Sequence, residues 1–257
     1  MKRFGLIGHP VAGSFSPKLF EAAYGGRYPY DLIEGADFGA SWQRFLDEYD
    51  GINITAPFKE FAFRAVDALS DDARLCGAVN LAVKTPSGIV GYNTDVAGVV
   101  LAVREALSGL ASTDPQPVIP GSTGNLLKEA LVVGCGGAGR AAAVAALRLG
   151  CRVTLANRTP SRAAALADDL GCDWIPAEDI AALSPDLVIY TVPGPMDGFP
   201  EFPEAIILEA NYRTPCLEGR GKAYISGRRW LLFQAVAGYE IFTGETPDAG
   251  AMFRIFC

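Results

Sequence analysis

Short apolar runs with a period of two alternate along this chain with longer stretches in which apolar residues recur every three or four positions. Residues 2–8 (KRFGLIG) have the first pattern and SPKLFEAAYGG the second. PYDLIEG, SWQRFLDEYDG, GINIT and EFAFRAVDALS repeat the alternation. Period two marks strands and period 3.6 marks amphipathic helices, so these residues predict βαβ units and a parallel sheet. Residues 80–93 (NLAVKTPSGIVGYN) break the rhythm with two short runs around Pro-Ser-Gly, which predicts a hairpin. TDVAGVVLAVREAL then reads as a helix, with Thr94 or Asp95 placed to cap it.

Residues 108–126 are rich in Pro, Gly, Ser and Thr and have no period, as a linker or mobile surface loop would. A second alternating series follows. EALVVG, RVTLAN, CDWIP, DLVIYTV and AIILEANY read as strands, and GRAAAVAALRLG, TPSRAAALADDLG and AEDIAAL as helices. Two more helical stretches, LLFQAVAGYEIFTG and DAGAMFRIFC, close the chain. The expected fold class is α/β in two domains.

Composition narrows the functions. The 257 residues carry a net charge of −7, which disfavours nucleic acid and anionic membrane as partners. No apolar run has the length of a membrane span, and MKRFGLIGHP passes into polar sequence without a signal-peptide core, so a soluble cytoplasmic protein is expected. The six cysteines form no CxxC pair, and His9 is the single histidine. No metal site and no chemistry needing two imidazoles is expected.

LVVGCGGAGRAAA places Gly134, Gly136 and Gly139 in GxGxxG spacing between a strand of branched residues and an alanine-rich helix. In that setting the glycines allow a tight turn, close approach of a pyrophosphate, and helix–strand packing. About twenty residues on, where NAD-preferring sites keep a carboxylate, stand Asn157, Arg158 and Thr159. A guanidinium binds a 2′-phosphate that a carboxylate would repel, so NADP is the expected cofactor. A Thr159 helix cap beside a solvated arginine is compatible with that role.

An alcohol–ketone interconversion needs a proton donor, and with histidine nearly absent the candidates are Lys, Asp, Tyr and Ser. Lys59 follows the end of the strand in GINITAPFKE, and Asp95 opens a helix after GYN. Both fall at the strand-end edge where open α/β sheets bind ligands. A solvated loop lysine is the alternative for Lys59.

GHPVAGSFSPKLF, NITAPFKE, CGAVN, GYNTDVAG, GCGGAGRAA, ANRT and FQAVAGYEIFTG occur in the order and approximate spacing of the shikimate dehydrogenase family, and the resemblance covers nearly the whole chain. It implies an N-terminal α/β substrate-binding domain (1–96 with 231–257), a Rossmann-type NADP-binding domain (97–230), and an active-site cleft between them. It implies NADP-dependent reduction of 3-dehydroshikimate to shikimate in chorismate and aromatic amino-acid biosynthesis, with Lys59 and Asp95 as the catalytic pair. Ser14 and Ser16 would bind the substrate carboxylate, with Thr55, Asn80, Tyr212 and Gln234 contacting the rest of the substrate. Gly134, Gly136, Gly137, Ala138, Gly139, Asn157, Arg158, Thr159 and Thr191 would contact the cofactor. These residue types suit a small, hydroxyl-rich anion. Individually, Ser14 and Ser16 could instead cap a helix, Asn80 could serve a turn, and Gln234 could lie on a helix surface.

The chain departs from the family in places. Gly13 stands where histidine is frequent, and Ile189, Tyr190 and Thr191 replace Asn-Ala-Thr. Gly194 and Pro195 replace Gly-Met, with Met196 one place later. A catabolic quinate/shikimate dehydrogenase and a non-catalytic NADP-binding regulatory protein are the alternatives, and monomer and homodimer both fit.

Overall fold

In the computed structural model, which describes residues 1–111 and 127–256, the chain divides into two units. One comprises Met1–Thr94 with Leu232–Cys257, and the other Asp95–Leu231.

The first unit opens with β1 (Phe4–Gly8), α1 (Ser16–Tyr24), β2 (Tyr30–Glu34), α2 (Phe38–Glu48) and β3 (Gly51–Ile54). Every residue of β1 and β3 is buried, as central strands covered on both faces require. Pro17 in the first turn of α1 and left-handed Gly25 after its last residue bound that helix. Asp37 caps α2 by accepting from the Ala40 N–H.

The expected single helix over EFAFRAVDALS is instead a short helix and a two-residue strand, with its last residue capping a further helix. Helix α3 (Lys59–Ala65) stops where Val66 turns extended, β4 (Ala68–Leu69) follows, and Ser70 caps α4 (Asp71–Cys76). The hairpin of β5 (Leu81–Thr85) and β6 (Gly88–Tyr92) stands where the sequence predicts it. It makes the sheet mixed rather than parallel. In the order β2-β1-β3-β5-β6-β4, β1 pairs parallel with β2 and β3, whereas β5 runs antiparallel to both β3 and β6.

Helix α5 (Thr94–Ala111) crosses the boundary between the units in its first turn. It includes residues 108–111, where a linker was expected; the rest of that segment, 112–126, lies outside the described residues. The second unit continues with β7 (Glu129–Val133), α6 (Gly137–Arg148), β8 (Arg152–Asn157), α7 (Pro160–Leu170) and β9 (Asp173–Pro176). AEDIAAL forms a 3₁₀ turn (Ala177–Ala182) rather than an α-helix, and β10 (Leu187–Tyr190) and β11 (Phe202–Glu209) follow. Strand β12 (Gly221–Ser226) has no counterpart among the expected elements; among the described residues it is an edge strand paired with β11. All pairings here are parallel, in the order β9-β8-β7-β10-β11-β12. This is the doubly wound dinucleotide-binding order, which reverses direction between β7 and β10.

Helix α8 (Gly227–Thr243) leads back, and its residues from Leu232 onward join the first unit together with α9 (Ala249–Phe253). A side chain at Gly51 would meet the Phe242 ring at 2.7 Å, so glycine lets α8 lie against β3. Phe242 stacks on Phe4 at 4.8 Å, and Phe20 meets Tyr239 edge-on at 4.8 Å. On another part of the core, Trp42, Phe45 and Phe58 pack with Ile7, Ile52 and Ile54. Phe45 is fully buried, and truncating such a ring costs about 3–5 kcal/mol. Among the described residues, no helix is long and apolar enough to cross a membrane.

Candidate active site

In the first unit the loop after β1 is tied to the loop after β3: the His9 N–H donates to the Ala56 carbonyl at 3.0 Å, and the Thr55 N–H to the Ile7 carbonyl at 3.0 Å. A Cβ at Gly8 would lie 2.3 Å from the Thr55 methyl, so only glycine admits this approach. Lys59 is the first residue of α3, half-buried, and its carbonyl accepts from the Val79 N–H at 3.0 Å. That bond links the lysine's backbone to the segment leading into Asn80.

Asn80 is 3 % exposed, too deep for an ordinary turn residue. Its Oδ1 accepts from the Thr94 N–H at 2.8 Å, satisfying a donor at the head of α5. The expected cap by Thr94 or Asp95 is therefore replaced by a side chain fourteen positions upstream. Asn80 Nδ2 donates to Thr94 Oγ1 at 3.2 Å and reaches Gln234 Oε1 at 3.5 Å, and the Thr94 hydroxyl reaches Gln234 Oε1 at 3.2 Å. Gln234, half-buried in α8, thus joins a polar cluster with Asn80 and Thr94 instead of facing solvent alone. Asp95 is the next residue of α5 and half-buried, and its carbonyl accepts from the Trp230 indole at 2.9 Å.

Neither serine occupies the N-cap position of α1, although Ser14 meets its first N–H. Phe15 holds the N-cap position without a side-chain bond. Ser14 Oγ accepts from the Ser16 N–H at 3.2 Å and donates to Ser16 Oγ at 3.1 Å, which places the two half-buried hydroxyls side by side.

In the second unit Gly134 and Thr191 follow directly on the neighbouring strands β7 and β10, where the strand order reverses. The Thr191 hydroxyl donates to the Val133 carbonyl at 2.9 Å, and a Cβ on Gly134, whose φ is +100°, would sit 2.5 Å from that hydroxyl. A Cβ at Gly139 would lie 1.8 Å from the Gly134 carbonyl oxygen, so the turn and the helix touch backbone to backbone. At Gly136 and Gly137 a Cβ would meet nothing within 4 Å, and Gly136, Gly137 and Ala138 are exposed. Open space at unpaired helix-head N–H groups is the cradle a pyrophosphate needs, and these residues fit a dinucleotide.

Asn157 ends β8, and its Oδ1 accepts from the Cys135 N–H at 3.4 Å, which ties the second strand end to the glycine turn. Thr159 occupies the N-cap position of α7 but makes no capping bond with its side chain. The Arg158 guanidinium is exposed and, among the described residues, forms no hydrogen bond or ion pair, and the same holds for the exposed guanidinium of Arg162 one turn on. Tyr212 lies half-buried three residues past β11, in a loop held by Glu209. This fully buried carboxylate accepts from the Cys216 N–H at 2.8 Å, the Leu217 N–H at 3.1 Å and the Tyr224 hydroxyl at 2.9 Å. Burial raises both neighbouring donors, the Cys216 thiol to about 11 and the Tyr224 phenol further. Asn211 Nδ2 donates to the Pro193 carbonyl at 2.8 Å and so braces the departing segment 191–196 against the same loop.

Among the described residues no group of three or more His, Cys, Asp or Glu is placed to hold a metal ion. The residues that sequence reasoning missed are Thr94, Asn53, Tyr30 and Tyr239. Asn53 carried one signal, a polar side chain inside the apolar run GINI that proves 9 % exposed.

A doubly wound sheet with a glycine cradle at its switch point, joined in one chain to a unit rich in neutral hydrogen-bonding side chains, defines a two-unit dinucleotide-dependent oxidoreductase. Comparison with known proteins is specific. Residues 6–82 match the family model for the shikimate dehydrogenase substrate binding domain. The NADP(+) shikimate dehydrogenase of Rubrobacter xylanophilus is 36 % identical over 281 residues, covering 97 % of this chain and 93 % of that protein. A Thermus thermophilus shikimate 5-dehydrogenase solved with NADP(H) and shikimate superposes with a TM-score of 0.82 at 30 % identity, covering 99 % of this chain and 98 % of that one. A Corynebacterium glutamicum quinate dehydrogenase solved with NAD gives a TM-score of 0.81 at 26 % identity, covering 99 % and 98 %. The chain belongs to the shikimate dehydrogenase family.

Proposed function

We propose that this protein catalyses the reversible NADP-dependent reduction of 3-dehydroshikimate to shikimate. The observation that carries the reading is the cluster of Asn80, Thr94 and Gln234, three neutral side chains from distant segments held at 3.2–3.5 Å, next to a backbone bond from Val79 to Lys59 at the start of α3. A hydroxyl-rich ring calls for such mixed donors and acceptors. When bound, NADPH supplies the reducing equivalent for the carbonyl carbon. The residues that would hold it are Gly134, Gly136, Gly137, Ala138 and Gly139 at the phosphates, Asn157, Arg158 and Thr159 at the 2′-phosphate, and Thr191 toward the nicotinamide.

Ser14 and Ser16 donate to the substrate carboxylate, and Thr55, Asn80, Gln234 and Tyr212 hold the ring hydroxyls. Lys59 gives a proton to the carbonyl oxygen as that oxygen gains charge, and solvent restores it. Asp95 orients the lysine and accepts from a neighbouring hydroxyl. In the oxidative direction Lys59 takes the same proton back. The substrate site belongs to residues 1–96 and 231–257, and the cofactor site to 97–230. The unpaired Arg158 separates this reading from an NAD-using quinate enzyme, because a free guanidinium favours the phosphorylated cofactor.

The test is steady-state turnover of the purified protein with shikimate and NADP⁺, followed by absorbance of the reduced cofactor. Saturable reduction of NADP⁺ with shikimate is expected. Binding of NADP⁺ without turnover of shikimate or quinate would make the chain a cofactor-binding regulatory protein.

A further inference from the structure

The first unit contains a run of buried hydroxyls that the proposed chemistry does not use. Tyr239, on α8, is 1 % exposed, and its hydroxyl donates to the backbone carbonyl of Ser16 at 3.0 Å. The Ser16 side chain and Tyr30 are its neighbours, the two tyrosine rings 6.1 Å apart. Tyr30, on β2, lies near Ser16 and donates to Asn53 Oδ1 at 2.7 Å. Asn53 Nδ2 reaches the Asn80 carbonyl at 3.4 Å. Two hydrogen-bonded stretches therefore lie side by side, Ser14–Ser16–Tyr239 and Tyr30–Asn53–Asn80.

We propose that Tyr239 and Tyr30 are positioning residues that fix Ser14 and Ser16 as a rigid pair of donors for the substrate carboxylate. The inference rests on the carboxylate-binding role given to these serines above. Its physical basis is that the hydroxyl run is made of neutral groups. A guanidinium attracts a carboxylate from many directions, whereas a hydroxyl binds well only when aimed, so a site built on two serines depends on what holds them. Ser16 opens α1, where the N-cap residue Phe15 offers no side-chain bond and the Ser16 N–H is held by Ser14, the other member of the pair. The anchor is Tyr239 at its carbonyl. Desolvation pushes both phenols well above the ordinary tyrosine value, so they remain neutral donors and present no negative charge to an incoming anion. Their rings are held independently of the hydroxyls: Phe20 lies 4.8 Å from each, and they meet each other edge-on at 6.1 Å. Removing a hydroxyl while keeping the ring therefore isolates the positioning role.

The experiment compares Tyr239→Phe, Tyr30→Phe and the double variant Ser14→Ala/Ser16→Ala with the parent. KM and kcat are measured for shikimate, for its neutral carboxamide analogue and for NADP⁺. The phenylalanine variants should raise KM for shikimate roughly threefold to thirtyfold, as loss of one or two buried hydrogen bonds would. Their kcat should stay within about twofold and KM for NADP⁺ should be unchanged, with no penalty against the carboxamide. If Tyr239→Phe does not accumulate, Tyr30→Phe carries the test. An unchanged KM in the phenylalanine variants, or an equal rise for shikimate and carboxamide, would overturn the inference. If the double serine variant also leaves KM unchanged, the carboxylate assignment itself is wrong; if it alone raises KM, only the role of the tyrosines falls.

Discussion

Replacing Gly136 by alanine separates cofactor binding from folding. Gly136 caps α6 at φ −83° and ψ −171°, extended backbone that alanine adopts without strain, and its new methyl group would meet nothing within 4 Å. Alanine is the poorer N-cap by about 0.5–1 kcal/mol. Against this, losing glycine's freedom in the unfolded chain contributes about 0.4–1 kcal/mol. The two nearly cancel, so the melting temperature should move by no more than about 2 °C. On the proposed cofactor site, the methyl group would occupy the space through which a pyrophosphate oxygen approaches the helix-head N–H groups. Loss of one charge-assisted hydrogen bond, about 1.5–3 kcal/mol, should weaken NADP⁺ roughly 10- to 150-fold.

Gly139→Ala is the contrasting variant. Its Cβ would start 1.8 Å from the Gly134 carbonyl oxygen, whereas ordinary contact begins at 3.4 Å, so helix and turn must part by about 1.6 Å. Overpacking of backbone against backbone costs about 1–3 kcal/mol or more, and stability and binding should fall together. Calorimetric titration with NADP⁺ and ligand-free melting curves measure both quantities. Unchanged NADP⁺ affinity in Gly136→Ala, or a stable, tightly binding Gly139→Ala, would refute the cradle.

Arg158→Ala should remove most of the preference for NADP⁺ over NAD⁺, a loss of about 1.5–3 kcal/mol read from kcat/KM with each cofactor; equal use of both by the parent enzyme would contradict the assignment. Lys59→Ala should slow the chemical step by about 10² to 10⁴, and combining it with Asp95→Asn should add little, because groups acting as a unit fail together. Full turnover in Lys59→Ala, or independent multiplication of the two losses, would return the lysine to an ordinary loop role. Tyr190 is fully buried and donates to the Gly194 carbonyl at 2.7 Å, and burial raises its phenol to about 12. A raised value means that the folded state holds the proton more tightly. The contribution is therefore complete below about pH 10 and lost as pH rises toward 12. Tyr190→Phe should cost about 1 kcal/mol at neutral pH and flatten the alkaline fall in urea-melt stability; an unaltered slope would count against this burial effect.

Much of this protein is written locally. The period-two runs at Phe4–Gly8, Gly51–Ile54 and Glu129–Val133 are strands, and GxGxxG sits between strand and helix as its flanks require. The GxGxxG spacing is legible because its last glycine answers a constraint five residues away, the Gly134 carbonyl that a Cβ at Gly139 would meet at 1.8 Å. What sequence reasoning missed was decided by partners far along the chain. Strand β12 is held by its ladder to β11 and has little periodic signal of its own. The antiparallel β3–β5 pairing follows from where the hairpin docks. Asn80 is polar and looks suited to a turn until Thr94 and Gln234, fourteen and 154 positions away, close around it. Tyr239 reads as one more apolar ring of α8, yet its hydroxyl serves Ser16, 223 residues earlier. Residue types and short-range spacing thus determined most elements and the glycine turn between β7 and α6, because those depend on backbone geometry and local sterics. Which neutral side chains share a hydrogen bond was left to the tertiary structure, because a buried donor is satisfied by whatever acceptor the packed fold brings within about 3 Å, and sequence separation does not enter that requirement.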